Sequence, residues 1–383
     1  MLCTPVCPQR DARGSRYCFF NNDMGFHFLK FRPDNFTDHV RTPWAGTRIA
    51  RALKSGLGLN LPPRIGESWE FSTSAELPSH CQDVYDGTFA SFLRSHADEW
   101  LSDAHKLAWE KQSPLLVKYL DAAYDLSVQL HPPIETPDLP NNHSGKWESW
   151  LILANDPQAG IYLGIKPGIT KGEFIDAVRS NRTLKPLLHF VPVHVGELYI
   201  IPPCTIHALG AGICALEPQL MQPGKIAVSY RLHDWNRLYD AHGNLTNIGK
   251  PRQLHIDESL RFIDFDAPRG EELEKRCRIL PEILIDNGRM RVAQFSQKPC
   301  LIARVISGSG VWEDDLPHEL TFISVMQGHA EINIDGTPYL MKTGESGAIA
   351  ACAQTIKITA TNARIYMAHC LPHHYSECAA GHL

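Results

Sequence analysis

Short apolar-rich runs, broken by proline and glycine, recur along most of the chain and predict a mainly β protein. The run 115–133, LLVKYLDAAYDLSVQLHPP, reads as strands that Pro132 and Pro133 terminate, because proline cannot donate to a ladder. GKWESWLIL, at 145–153, reads as another strand. VPVHVGELYIIPPCTIHALGAG, from Val191, predicts three strands separated by a Gly-Glu turn and a Pro-Pro break. Two stretches change period. Phe89, Phe92, Leu93, His96, Trp100, Leu101 and Leu107 recur at three- and four-residue steps, which predicts helices within 87–111, stopped at Ser113-Pro114. The segment 168–179 reads as an amphipathic helix. Towards the C-terminus, Ile332 and Ile334 alternate with Glu331, Asn333 and Asp335, and Asp335-Gly336 supplies a hairpin turn.

Strand alternation also places chemistry. Successive residues of a strand point to opposite faces, so Ser127, Gln129 and His131 share one face while Val128 and Leu130 take the other. Lys146 and Glu148 share a face in the same way. A neutral imidazole, a carboxylate and an amide oxygen converging from neighbouring strands suit a divalent metal that keeps an open position.

With 383 residues, 43% hydrophobic and 21% charged, the chain is an ordinary globular protein of two small domains or one elaborated one. A net charge of −5 argues against a nucleic-acid binder, which leans on a basic surface, without excluding a local basic pocket. No apolar run is long enough to span a membrane, and the N-terminus lacks the apolar core of a signal peptide. The 11 cysteines are odd in number and contain no CxxC pair, which points to reduced thiols in a cytoplasmic setting. Cys3 and Cys7 are set aside as metal ligands, and His373, His374 and His382 are taken as part of a C-terminal tail.

LSVQLHPP, GKWESW, PPCTIHAL and SYRLHDWNR, in that order, resemble the type I phosphomannose isomerase family in its shorter bacterial form. The resemblance runs from Phe31 to Trp235 as ordered motifs and more loosely beyond. It implies a mainly β cupin (jelly-roll) barrel with a metal site and a helical insertion, followed by a second, cupin-like β-barrel. The expected organisation is an extension over 1–25, a catalytic cupin domain over 26–241 with its insertion around 87–111, a linker over 242–258 and the cupin-like domain over 259–383. One Zn2+ per chain is implied, held by Gln129, His131, Glu148 and, by position, His207. The implied reaction interconverts mannose 6-phosphate and fructose 6-phosphate through a cis-enediol. Arg231 aligns with an arginine assigned to catalysis and Glu217 with a family glutamate. Glu217, Lys146 with a depressed pKa, or a metal-bound water remain open as the base. Lys118, eleven residues before Gln129 as in the family, and Ser127 are the expected substrate contacts. The small-molecule partner is thus a sugar phosphate, with the chain acting as a monomer or weak homodimer.

Three departures from the family pattern stand out. Ala45 replaces a usual glycine in PWAGTRIA, and Cys204 replaces another in PPCTIHAL. The gap from Glu217 to Arg231 is longer by about four residues, which a turn at Pro223-Gly224 is expected to absorb in a hairpin loop. In GESWEF, Trp69 and Glu70 are expected to pack structurally. Two readings from other classes remain: a non-catalytic sugar-phosphate-binding cupin, and a metal-dependent cupin oxidoreductase or decarboxylase. A redox cupin would more often show a His-x-His pair where this chain has Gln129 and His131.

Overall fold

The computed structural model describes residues 26–297 and 301–374; the 1–25 stretch, Cys3, Cys7 and His382 lie outside them. The described chain opens with β1 (Phe28–Lys30) and β2 (Glu67–Phe71), then three short helices, α1 (Phe89–Ser95), α2 (Ala97–Trp100) and α3 (Asp103–Trp109). The helices fall inside the expected insertion. Thr88 and Ser102 set two of their starts, their side-chain oxygens accepting from Ser91 N and His105 N. Phe89, Phe92, Leu93 and Trp100 are buried, whereas Leu107 of the same periodic series points to solvent.

The next strands are β3 (Leu115–Ala122), β4 (Val128–Leu130), β5 (His143–Ser144), β6 (Lys146–Asn155) and β7 (Gly160–Ile165). After α4 (Lys171–Arg179) come β8 (Leu188–Pro192), β9 (Leu198–Ile201), β10 (His207–Leu209), β11 (Ile213–Met221), β12 (Ile226–Ala227) and β13 (Tyr230–His233). The small hairpin β14 (Leu238–Tyr239) and β15 (Leu245–Thr246), helices α5 (Ile256–Phe262) and α6 (Glu271–Cys277), and β16 (Arg278–Ile279) follow. These build two sheets: five strands in the order β13-β4-β10-β7-β8, and six in the order β16-β9-β6-β11-β3-β2. At one end the sheets meet through an apolar cluster that includes Leu120, Trp150, Ile161, Leu163, Tyr199, Leu209 and Ala215. The outer face of the five-stranded sheet is covered by α4 and its neighbours, with Val128 and Leu130 against Phe174 and Val178. The alternation predicted for 128–131 is therefore realised, Val128 and Leu130 lying on the covered side.

The remaining strands form the larger sheet: β17 (Glu282–Asp286), β18 (Met290–Gln297), β19 (Leu301–Asp315), β20 (Thr321–Ile334), β21 (Thr337–Lys342), β22 (Ser346–Ile349) and β23 (Thr355–Cys370). Their order is β1-β22-β20-β23-β19-β18-β17, with β21 on β20. The first described strand, β1, thus completes the C-terminal sheet. Asp335 and Gly336, at φ 49° and 88°, form the tight turn between β20 and β21 that their sequence predicts. The two β units pack through one apolar cluster, in which Val117, Tyr119, Leu151 and Leu216 meet Phe322, Ala348 and Tyr366. A buried ion pair lies in that contact. Lys54 Nζ reaches Glu70 at 2.7 Å and Gly344 O at 2.7 Å, and Ser346 Oγ donates to Glu70 at 2.6 Å. Glu70 is structural, as expected. Among the described residues no helix is long and apolar enough to cross a membrane.

Candidate metal centre and active-site cleft

Strand register brings the polar residues together. His207 on β10 and Arg231 on β13 both pair with Gln129 on β4, so the three stand abreast on one face of the five-stranded sheet. On the facing sheet Glu217 of β11 pairs with Lys118 of β3, and Trp69 of β2 pairs with Lys118. Two residues further along β11, Gln219 pairs with Glu148 of β6. Between the sheets lies a cleft of about 310 Å³ lined by Lys118, Ser127, Gln129, Lys146, Glu148, Glu217 and Arg231, among others.

At its base His131, Glu148 and His207 bring their ligand atoms within 4.8 Å of one another, all three residues being buried. Hydrogen bonds fix the imidazoles. His131 Nδ1 lies 3.0 Å from Val228 O and His207 Nδ1 lies 2.9 Å from Thr205 O. In a neutral ring those carbonyls require the proton on Nδ1, which leaves the Nε2 lone pair free. His131 Nε2 faces Glu148 Oε1 at 3.1 Å and His207 Nε2 faces Glu148 Oε2 at 3.4 Å. His131 Nε2 and Glu148 Oε2 are nevertheless buried without any hydrogen-bond partner. Lone pairs crowded against a carboxylate, with no proton between them, are favourable only around a cation. Gln129 completes the group, its Nε2 lying 3.4 Å from His207 Nε2; a half-turn of the amide presents Oε1 to the same point. The donor set fits a divalent metal.

The turn before β10 depends on Cys204. This residue has φ 65°, and its N–H donates to His131 O at 2.6 Å. A non-glycine side chain there occupies the left-handed region, which explains why a glycine is usual at such a turn. β10 begins only at His207, so Thr205 belongs to the turn and serves through its carbonyl. On the other side of His131, Gly145 passes so close to Pro132 that a Cβ would fall 1.9 Å from the Pro132 oxygen. Only glycine permits that approach, and it brings Lys146 and Glu148 alongside His131.

Charge is tightly paired here. Lys146 Nζ lies 2.6 Å from Glu148 Oε1, and Gln219 Nε2 donates to the same oxygen at 2.7 Å, leaving Oε2 for the metal point. Burial pushes the His131 pKa down to about 3, so the ring is neutral. Burial opposes the Glu148 charge, yet its pKa is held well below the usual carboxylate range, the Lys146 ammonium being the cation beside it. Burial also opposes the Lys146 charge, but Glu148 and Glu217 raise its pKa above the ordinary value. A lysine with a depressed pKa is therefore not what the site contains. Glu217 is the opposite case. Burial, then the Glu148 charge, push its pKa up, while it accepts from Trp150 Nε1 at 2.9 Å and Gln219 Nε2 at 2.6 Å. Lys118 Nζ sits 3.5 Å from Glu67 and 3.8 Å from Glu217.

The segment between Glu217 and Arg231 is no hairpin. β11 and β13 belong to different sheets, and Pro223-Gly224 turns the chain into β12, which runs parallel to β5 and crosses over. Glu217 and Arg231 therefore line the cleft from opposite sheets, and the crossover supplies Val228 O to His131. Trp69, expected to pack structurally, lines the cleft with Lys118 Nζ 4.6 Å over its ring. Ser127 is buried, its hydroxyl 3.4 Å from Gln129 Oε1. Sequence reasoning missed Gln219, which strand alternation from Glu217 could have found. It also missed Arg252, a cleft residue in the polar 242–258 stretch with no periodic pattern to single it out.

No family model matches the chain. It is 31% identical over 285 residues to the mannose-6-phosphate isomerase ManA of Bacillus subtilis (strain 168), covering 70% of this chain and 82% of that protein. The crystal structure of the mannose 6-phosphate isomerase from Bacillus subtilis superposes with a TM-score of 0.73 at 22% identity, over 90% of this chain and 100% of that one. A mannose 6-phosphate isomerase structure bound with zinc and yttrium gives a TM-score of 0.65 at 15% identity, over 90% and 100%.

Proposed function

The chain belongs to the mannose-6-phosphate isomerase family, and from that premise we propose that its cleft interconverts mannose 6-phosphate and fructose 6-phosphate. The observation that carries this reading is one cleft holding both the converging lone pairs of His131, Glu148 and His207 and the facing pair Glu217 and Arg231. Gln129, His131, Glu148 and His207 would hold one divalent ion; two imidazole nitrogens with carboxylate and amide oxygens support zinc. When bound, that ion supplies Lewis-acid polarisation of the substrate's carbonyl and hydroxyl oxygens.

The reaction removes a proton from carbon 2 of the open-chain aldose and returns one to carbon 1 through a cis-enediol. Glu217 suits this proton transfer, because a carboxyl held protonated well above its usual range is also a stronger base once ionised. Lys146, kept as a cation by Glu148, and Arg231 face the developing negative charge on oxygen, and one such preorganised donor is typically worth about 3–4 kcal/mol. Lys118 and Ser127, on the facing sheets, are placed to hold the sugar chain. A charged sugar phosphate does not cross a membrane unaided, which supports a cytoplasmic setting.

The decisive experiment is a coupled isomerase assay on metal-replete and chelated protein, with the reaction repeated in heavy water. Turnover that vanishes on chelation and returns with zinc is expected, with deuterium appearing at carbon 2 of the mannose 6-phosphate formed from fructose 6-phosphate. Binding of the sugar phosphate with neither conversion nor exchange would leave a non-catalytic cupin, and dioxygen consumption a redox one. Family membership favours the isomerase over both.

A further inference from the structure

Five cationic side chains line the cleft: Arg41, Lys118, Lys146, Arg231 and Arg252. Three are answered by carboxylates in the same cleft: Arg41 by Glu76, Lys118 by Glu67 and Glu217, and Lys146 by Glu148. The other two are not. Among the described residues no carboxylate lies within 4.0 Å of the Arg231 guanidinium, whose Nε is buried without a hydrogen-bond partner. Its Nη1 donates to Gln253 O at 2.8 Å. Arg252 is gripped on one edge by Asp234, through Nη2 to Oδ1 at 2.5 Å and Nε to Oδ2 at 2.8 Å. The same Asp234 also binds Arg237 at 2.8 Å. At this end of the cleft Asp234 thus answers two guanidiniums, Arg252 and Arg237, and Arg231 is left with no carboxylate of its own.

The backbone keeps them there. β13 is the edge of its sheet, and the Pro251–His255 strap runs along it, His255 N donating to Arg231 O at 2.8 Å and Arg231 N to His255 Nδ1 at 3.2 Å. Burial and then the nearby Arg252 charge lower the Arg231 pKa to about 10, and Asp234 offsets this only in part. An arginine held bidentately on one edge presents its remaining N–H groups as a fixed fork, the geometry that matches a phosphate's oxygens.

We propose that Arg252 is a substrate-binding residue: positioned by Asp234, its guanidinium joins Arg231 in holding the phosphate group of the sugar phosphate. This rests on the isomerase reading of the cleft. It assigns a function to the strap that edges β13, and it leaves Lys118, already matched by Glu67 and Glu217, to the sugar rather than to the phosphate.

The test is an equilibrium titration of the zinc-loaded protein with inorganic phosphate, alongside steady-state kinetics with fructose 6-phosphate, for wild type, Arg252→Gln and Arg252→Lys. Arg252→Gln should weaken phosphate binding and raise KM by about ten- to a hundred-fold, the range for losing a charge-assisted hydrogen bond, with zinc content unchanged. Arg252→Lys, which keeps the charge and loses the fork, should fall between. Equal phosphate affinities for wild type and both variants, or no phosphate binding by wild type, would overturn the proposal. A wild type that binds phosphate in an Arg252-dependent way yet never isomerises sugar would sink the isomerase reading and leave the anion site standing.

Discussion

The two β units of this chain obey the same strand-pairing rules and fill their interiors in opposite ways. In the C-terminal unit the space inside the curved sheet is occupied by Met290, Val292, Ile306, Ile323, Val325, Ile332, Ile358 and Ile365. In the first unit apolar residues fill one end only, and the other end is hollow and lined with Gln129, Lys118, Glu148, Glu217 and Arg231. Among the described residues, only the first unit gathers three potential metal ligands. The filled unit gains burial energy from every inward side chain. The hollow one gives up that gain and must satisfy each buried charge with a partner, which it does through Lys146–Glu148, Lys118–Glu67 and the imidazole-carbonyl bonds. Where a partner is missing, as at His131 Nε2, Glu148 Oε2 and Arg231 Nε, the gap points to a ligand.

The sharpest break of this contrast is at the metal point. His131→Ala should lower kcat/KM by at least about a thousand-fold, in the manner of losing a Lewis acid, with most of the bound zinc gone from elemental analysis. Retention of wild-type zinc would place the metal elsewhere. Next, Glu217→Gln should cost about 10²- to 10⁴-fold in kcat, the usual contribution of a proton-transfer group, while zinc content is kept. Because the Glu217 pKa is raised, wild-type kcat/KM should climb as pH rises through neutrality, and the variant should lose that limb. A flat wild-type profile would remove Glu217 from the proton path. The filled unit should respond in the other coin: Ile332→Ala, fully buried, should destabilise by about 2–5 kcal/mol in denaturant unfolding and leave kcat near the wild-type value. The smallest effect is expected at Cys204. Replacing it with glycine removes a left-handed non-glycine residue and should stabilise by roughly 0.5–1 kcal/mol, read as a rise in melting temperature, with zinc retained. A drop in stability would mean that the thiol's packing outweighs the backbone strain.

Much of the site was legible along the chain. Period two put Gln129 and His131 on one face and Lys146 with Glu148 on another, and motif order pointed to His207 and Arg231. Pairing was not legible. Nothing in Met221–Ser229 says that it crosses between sheets, since a Pro-Gly turn serves a hairpin and a crossover equally well. Lys146 looked available as a base because a lone buried lysine loses its proton easily; the carboxylate 2.6 Å away reverses that.

The sequence by itself determined which residues face inward, where strands stop, and that His131 sits one alternation from Gln129, because these depend on local backbone geometry. Only the tertiary structure decided which inward residues meet. Arg252 is twenty-one positions from Arg231 in the chain and shares its end of the cleft because the strap hydrogen-bonds to the edge of β13. Protonation followed from the same encounters. Whether Glu217 holds its proton and Lys146 keeps its charge depends on burial and on neighbours within a few ångströms, and those are set by folding rather than by local order.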